Sequence, residues 1–283
     1  MKLHLKIPGS TANLGPGFDT LSLALDIYLH ISCERASKRV IMNRSEMFIT
    51  EDPDQNLIYQ VISQVSKKFN KPIPTLLIEI DNEIPLERGL GSSSAAIIAG
   101  IFIADFYCEL KMSKETVLET AGLFESHLDN LAASLYGNLN IILGKQSVQM
   151  TPIESLKLMV FIPQNYYTNT KMSRNLLPNT FELDHVIKTL QNSAGVILYL
   201  TSDLASTSFR DYLHQPYRMI PETDILFDNN CFISGSGPCI MHVYKCESEN
   251  KSDFIYNVLN KTGIEWESQS LSIDKLGAQI NFS

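Results

Sequence analysis

The chain has 283 residues, 44% of them apolar and 19% charged, with 23 Lys and Arg against 31 Asp and Glu for a net charge of −8. This excludes a disordered chain, which could not bury enough apolar surface, and with only 14 Gly and 12 Pro it excludes a collagen-like or low-complexity one. The acidic balance argues against nucleic acid or an anionic membrane as partner, and the length allows about two domains.

The first ten residues lack an apolar segment long enough for a signal peptide, and the longest apolar run, Ala95 to Ala104, is too short to span a bilayer. Five scattered cysteines (Cys33, Cys108, Cys231, Cys239, Cys246) form no Cys-x-x-Cys pair. They read as small buried side chains in a reducing compartment, which makes a cytoplasmic location the expectation.

Leu3 to Ile7 alternates apolar and polar residues and predicts a short strand. Leu21 to Cys33 predicts a longer one, with Leu21, Leu23, Leu25, Ile27, Leu29 and Ile31 on one face. Residues 8–17 between them hold two prolines and three glycines and read as a loop. Helical spacing predicts a helix over 56–69, then a strand at 75–80. The apolar stretch 94–108 must be a buried helix. Ser113, followed by Glu115, starts another helix running toward His127, and 138–143 is a strand. Near Thr151 the pattern changes. There follow a strand at 157–163, a long helix at 181–200, a further helix ending near Leu213, strands at 231–234 and 240–244, a helix at 252–260 and two closing strands. Strands and helices alternate in both halves, so the fold class is α+β (mixed α/β), with one domain over residues 1–150 and a second over 151–283.

The most informative stretch is Pro85, Leu86, Glu87, Arg88, Gly89, Leu90, Gly91, Ser92, Ser93, Ser94 and Ala95. It follows a predicted strand and opens a predicted helix. Two glycines permit positive φ and close approach, and free N–H groups at a helix start suit phosphate. No Lys follows the glycines, so this is no Walker A loop, and Ser94 stands where a G-x-G-x-x-G motif needs its third Gly. A plain Ser-capped turn is the alternative.

The stretch resembles the nucleotide loop of the GHMP kinases, P-x-x-x-G-L-G-S-S-A-A. Two further segments match in order. Pro8 to Asp19 is similar to the family's first motif, in the form P-A-T-S-A-N-L-G-P-G-F-D, and Ile233 to Pro238 resembles its C-terminal L-S-G-A-G-P. Within the family, Phe124 to Asn130, Thr170 to Pro178 and Asp211 to Arg218 resemble segments of the homoserine kinases. The resemblance runs from residue 7 to about residue 244 and implies a two-domain GHMP kinase fold, whose C-terminal domain is ferredoxin-like.

It also implies an activity, the ATP-dependent phosphorylation of L-homoserine in threonine biosynthesis, with ATP and Mg²⁺ as cofactors. The stretch Pro85 to Ala95 would cradle the nucleotide. Mg²⁺ binds few carboxylates and keeps waters, and by resemblance Ser93 and Glu125 would hold it, with Glu119 in reserve. Arg174 and Arg218 take the positions that grip the substrate carboxylate, which Arg can do bidentately. Asn13, Asp19 and Asp129 take those facing its ammonium. Asn130 would sit near the reacting hydroxyl, and His127 either orients that group or satisfies a helix end. No strong general base is expected, because a loose phosphoryl transition state needs little nucleophile activation; Asp19 and Asp129 are the carboxylates that would contradict this. Members of this kind are often homodimers.

The sequence departs from the family at Gly9, Ser126, Leu128 and Cys239, and Ser126 matters if that backbone needs positive φ. Two other readings compete: a GHMP kinase for a mevalonate-type or sugar substrate, and a catalytically silent metabolite-binding protein of the same fold.

Overall fold

The alternation in the first 35 residues produces a hairpin. In the computed structural model, which describes residues 2–168 and 170–283, β1 (Leu3–Ala12) pairs antiparallel with β2 (Leu21–Arg35). The odd-numbered side chains of β2 from Leu21 to Cys33 are all buried. β1 is longer than its alternation suggests. Pro8, expected to open the loop, stays in the strand at a register shift between Pro8 and Gly9, and pairing continues to Ala12. A bulge is one of the few places in a ladder that tolerates a residue without an N–H.

β3 (Val40–Asn43), α1 (Leu57–Lys68) and β4 (Leu76–Asn82) follow. Asn56 caps α1 by accepting the N–H groups of Ile58 and Tyr59. α2 (Ser92–Cys108) is apolar on every side and lies buried, with Ile98, Ile101 and Ile103 fully enclosed. The helix expected to run from Ser113 toward His127 stops at Ala121 as α3 (Lys114–Ala121), and a further helix the sequence reading did not give, α4 (Leu128–Tyr136), begins just past His127. β5 (Leu139–Leu143) and β6 (Gln146–Met150) complete the first half. β4 pairs antiparallel with β2 and parallel with β3, and β5 joins β2 to β6.

The second half runs β7 (Lys157–Pro163), α5 (Thr170–Asn175), α6 (Leu183–Thr201), α7 (Gln215–Arg218), β8 (Cys231–Ile233), β9 (Ile240–Tyr244), α8 (Ser252–Leu259) and β10 (Trp266–Leu271). Its four strands form an antiparallel sheet in the order β10-β7-β9-β8, with α6 and α8 as the connections. That is the ferredoxin-like arrangement. Phe161, Ile233 and Ile240 pack with Ile255, Val258 and Leu259 of α8. Residues of the opposite parity, Leu158, Val160, Phe232, Met241 and Val243, join the main core with Val196, Tyr199 and Leu200 of α6.

Three expectations change here. The last strand, β11 (Gln279–Phe282), pairs with β1. The chain therefore ends in the first sheet, and the sheets do not divide into 1–150 and 151–283. No helix ends near Leu213: residues 203–211 are irregular, and the short α7 starts just after it at Gln215-Pro216. Cys33, Cys108, Cys231 and Cys239 are buried, but Cys246 is exposed. Among the described residues no helix is long and apolar enough to cross a membrane.

Candidate active site

The loop between β4 and α2 sets the geometry. Gly91 stands at the N-cap of α2 in the left-handed region, with no side-chain cap on the first turn. The N–H groups that open the helix therefore remain available, with the positive end of its dipole behind them. Gly89 and Gly91 both have φ of +75°. A Cβ on Gly91 would lie 2.1 Å from the Ser10 Oγ, and one on Gly89 would lie 2.1 Å from the Ser234 carbonyl oxygen. The loop is thus wedged between β1 and the segment after β8. Ser10 donates its N–H to the Leu90 carbonyl (3.0 Å), and the Ser234 hydroxyl donates to the Gly89 carbonyl (2.7 Å).

The break between α3 and α4 supplies the next residues. Gly122 ends α3, and the irregular stretch that follows carries Glu125 and His127 to the cleft. Ser126 does not take positive φ, so its replacement of a family glycine is tolerated. The Ser94 hydroxyl donates to Glu125 Oε2 (3.0 Å). Burial pushes the Glu125 carboxyl above the ordinary carboxylate range. At the start of α4, Asp129 is only 3% exposed and accepts the Asn130 N–H at 2.7 Å. Burial, with the nearby Asp19 and Glu125 acting in the same direction, raises its carboxyl from 3.8 to about 7. The Asn130 side chain accepts from the Ser10 hydroxyl at 2.8 Å. Burial holds the His127 imidazole below its usual range, and Arg174 adds to this.

The turn after β1 and two segments of the second half close the cleft. Asn13, Leu14 and Gly15 take successive positive φ values, which turns the chain sharply. Asn13 Nδ2 donates to the Gly235 carbonyl (2.8 Å), and Asn13 Oδ1 accepts the Asp19 N–H (3.1 Å). Arg174, on α5, forms an ion pair with Asp19. Arg218, at the end of α7, has no carboxylate within ion-pair distance among the described residues. Burial lowers its guanidinium to about 10, and the charge of Arg174 adds to this. The Nε atoms of both arginines are buried without a hydrogen-bond partner.

One cleft of about 320 Å³ is lined by Asn13, Asp19, Pro85, Glu87, Arg88, Gly89, Leu90, Gly91, Ser92, Ser93, Ser94, Glu125, His127, Asp129, Asn130, Arg174 and Arg218. Three expected residues lie elsewhere. Leu86 faces the adjoining groove, Ala95 is buried beneath the loop, and Glu119 is exposed on α3 away from the cleft. Glu125 bonds to Ser94, whereas Ser93 is exposed. Sequence reasoning left Ser10 and Ser234 unassigned, although both sit inside matched motifs, and it passed over Phe18 and His214, whose contacts with the arginines arise only on folding.

The residues suit a nucleotide and a divalent cation. The uncapped first turn of α2 and the orphaned Nη1 of buried Arg88 are donors for phosphate. Among the described residues no group of three His, Cys, Asp or Glu side chains could hold a metal unaided. A single carboxylate beside a hydroxyl, as at Glu125 and Ser94, fits Mg²⁺, which shares its shell with phosphates and water.

A helix N-terminus open to phosphate, facing two guanidiniums and the buried Asp129, fits a small-molecule phosphotransferase. The family model described as the GHMP kinases N terminal domain matches residues 56–138. Homoserine kinase of Staphylococcus aureus is 34% identical over 299 residues, covering 98% of this chain and 97% of the relative. That of Staphylococcus epidermidis is also 34% identical, with 98% and 96% covered. The crystal structure of homoserine kinase from Cytophaga hutchinsonii superposes with a TM-score of 0.79 at 23% identity, covering 99% of this chain and 97% of that one. The chain belongs to the homoserine kinase family of the GHMP kinases.

Proposed function

We propose that the protein transfers the γ-phosphoryl group of ATP to the side-chain hydroxyl of L-homoserine, giving O-phospho-L-homoserine, as a cytoplasmic step of threonine biosynthesis. The observation that carries this is the shared cleft, which sets the open end of α2 against Arg174, Arg218, Asp19 and Asp129. A zwitterionic amino acid needs both signs of charge there, whereas a neutral sugar offers no carboxylate to the two arginines.

The loop N–H groups and Arg88 would hold the nucleotide phosphates, and the large groove beyond Leu86 would take the nucleoside. Glu125 and Ser94 would hold Mg²⁺, which when bound neutralises charge on the transferring phosphoryl group. Arg218 and Arg174 take the substrate carboxylate. Asp19 and Asp129 accept from its ammonium, and Asn130, fixed by Ser10, orients the hydroxyl. Rate then comes from positioning and charge stabilisation, with no strong base required.

A coupled ADP-release assay with L-homoserine, mevalonate and galactose tests the reading. Turnover is expected with L-homoserine alone, and release with mevalonate, galactose or none of the three would overturn it. In the same assay Arg218→Met is expected to raise the homoserine KM about 100-fold, the worth of a charged hydrogen-bonded contact, with the ATP KM unchanged.

The same proposal extends to assembly. α6 exposes Leu183, Ile187, Leu190 and Leu198 in a stripe at heptad-like spacing. Two antiparallel copies about the midpoint of Leu190 and Gln191 would oppose Leu183 to Leu198 and Ile187 to Ala194, a self-complementary contact. Leu190→Glu is expected to halve the mass in sedimentation, and an unchanged mass would refute this use of α6.

A further inference from the structure

We propose that His214 and Phe18 are positioning residues that hold Arg218 ready for a carboxylate and thereby set the preference for a substrate that carries one. The proposal rests on the homoserine reading and assigns it two residues that lie behind the guanidinium.

His214 is fully buried at the start of α7. Its Nε2 lies 2.8 Å from the Gly15 carbonyl oxygen. A carbonyl can only accept, so Nε2 carries the proton. Burial keeps the imidazole below its usual range, and the charge of Arg218 adds to this. In the neutral ring Nδ1 then has a lone pair and can only accept. Arg218 Nη1 lies 3.4 Å from it and donates. The backbone that carries the ring is itself fixed, because Asp211 Oδ2 accepts the N–H groups of His214 (2.6 Å) and Gln215 (2.9 Å).

Phe18 completes the mount. Its ring stacks on the His214 imidazole, with centroids 5.0 Å apart and planes at 23°. The Arg218 guanidinium carbon is 5.1 Å from the Phe18 centroid, and that of Arg174 is 5.2 Å from it. Arg218 also reaches the Gly235 carbonyl at 3.3 Å.

Every one of these partners is electrically neutral: an imidazole lone pair, a carbonyl and an aromatic face. They fix the direction of the guanidinium without cancelling its charge. Arg174, by contrast, is already paired with Asp19. A carboxylate entering the cleft therefore meets at Arg218 a guanidinium with no carboxylate in ion-pair distance, on which Asp19, Asp211 and Asp129 act only from farther off, and a neutral group gains less there.

The test compares L-homoserine with L-homoserine amide, whose carboxylate is replaced by a neutral carboxamide. His214→Gln retains an N–H for the Gly15 carbonyl but offers nothing at the Nδ1 position. His214→Asn retains an oxygen acceptor there. Phe18→Leu keeps apolar bulk and removes the π face. For His214→Gln the homoserine KM is expected to rise about tenfold and the kcat/KM preference for homoserine over the amide to fall about tenfold, with the ATP KM within about twofold. His214→Asn is expected to restore most of that preference, and Phe18→Leu to lower it about fivefold. A preference retained in both His214→Gln and Phe18→Leu overturns this proposal alone, as does a parallel rise in the ATP KM without a change in preference. A wild-type protein that turns over neither compound overturns the substrate reading and this proposal with it.

Discussion

Asp129→Asn is expected to raise the homoserine KM about 100-fold, lower kcat less than tenfold, and stabilise the fold at pH 8. The carboxyl titrates at about 7 in the folded protein against an ordinary 3.8. The folded state therefore binds more protons than the unfolded one between about pH 4 and 7, and stability falls as pH rises through that window. Below pH 4 both states are protonated and the cost vanishes, whereas above pH 7 it is fully present. A shift of this size corresponds to roughly 4 kcal/mol at most, and Asn, which brings polar atoms of its own, recovers about 2 kcal/mol. Thermal midpoints of both proteins at pH 5 and pH 8 check this, with the gap expected only at the higher pH.

The kinetic arm follows from the same charge. Holding an ammonium requires the carboxylate, so the wild-type homoserine KM is expected to climb about tenfold per pH unit below pH 7 and to level off above it. In Asp129→Asn that slope is expected to vanish. Loss of turnover by four orders of magnitude with unchanged homoserine affinity would instead make Asp129 the general base.

Gly89→Ala is expected to cut kcat/KM for ATP more than 100-fold and to destabilise the protein by about 2–3 kcal/mol. The φ of +75° is one that L side chains rarely adopt, and the new methyl would sit 2.1 Å from the Ser234 carbonyl oxygen. That neighbour is backbone, tied into the segment between β8 and β9, and it cannot swing aside as a side chain could. The loop must lift, taking its N–H groups away from the phosphates. Homoserine affinity, measured by calorimetry, is expected to stay within about threefold, because the residues proposed to hold it lie on other segments. Gly144→Ala is the control: it shares positive φ (+65°) but has nothing within 4 Å, so a cost of about 1 kcal/mol and unchanged kinetics are expected. Equal losses in the two variants would remove the steric argument.

The motifs were legible because they depend on local chemistry. Glycines at 89 and 91, serines at the head of α2 and the alternation of β2 act through neighbours a few residues away, and the structure keeps all three. What failed was whatever depended on distant partners. The helix expected to run from Ser113 toward His127 stops at Ala121, with Gly122 at its C-cap, because the residues up to His127 turn toward the cleft, and α4 starts afresh at Leu128, packed on α3 and α2. β1 runs on past Pro8 because β2 continues to offer a partner, which overrides the turn-forming residues. Glu125 accepts from Ser94 while Ser93 lines the same cleft, and the run of three serines gives no hint which of them faces the carboxylate.

By itself, then, the amino-acid order determined most of the elements, the glycine-rich loop and the kinds of residue that line the cleft. Only the tertiary structure decided how they meet. Asn13 and Gly235 bond across 222 positions, Ser234 and Gly89 across 145, and Arg174 and Asp19 across 155. Contacts that remote leave no periodicity in the chain. They exist because the first turn, the glycine loop and the segments around the second sheet are packed into one place, where burial raises Asp129 and lowers Arg218. The charges were written in the sequence; their strengths and directions were set by what folding excluded from water.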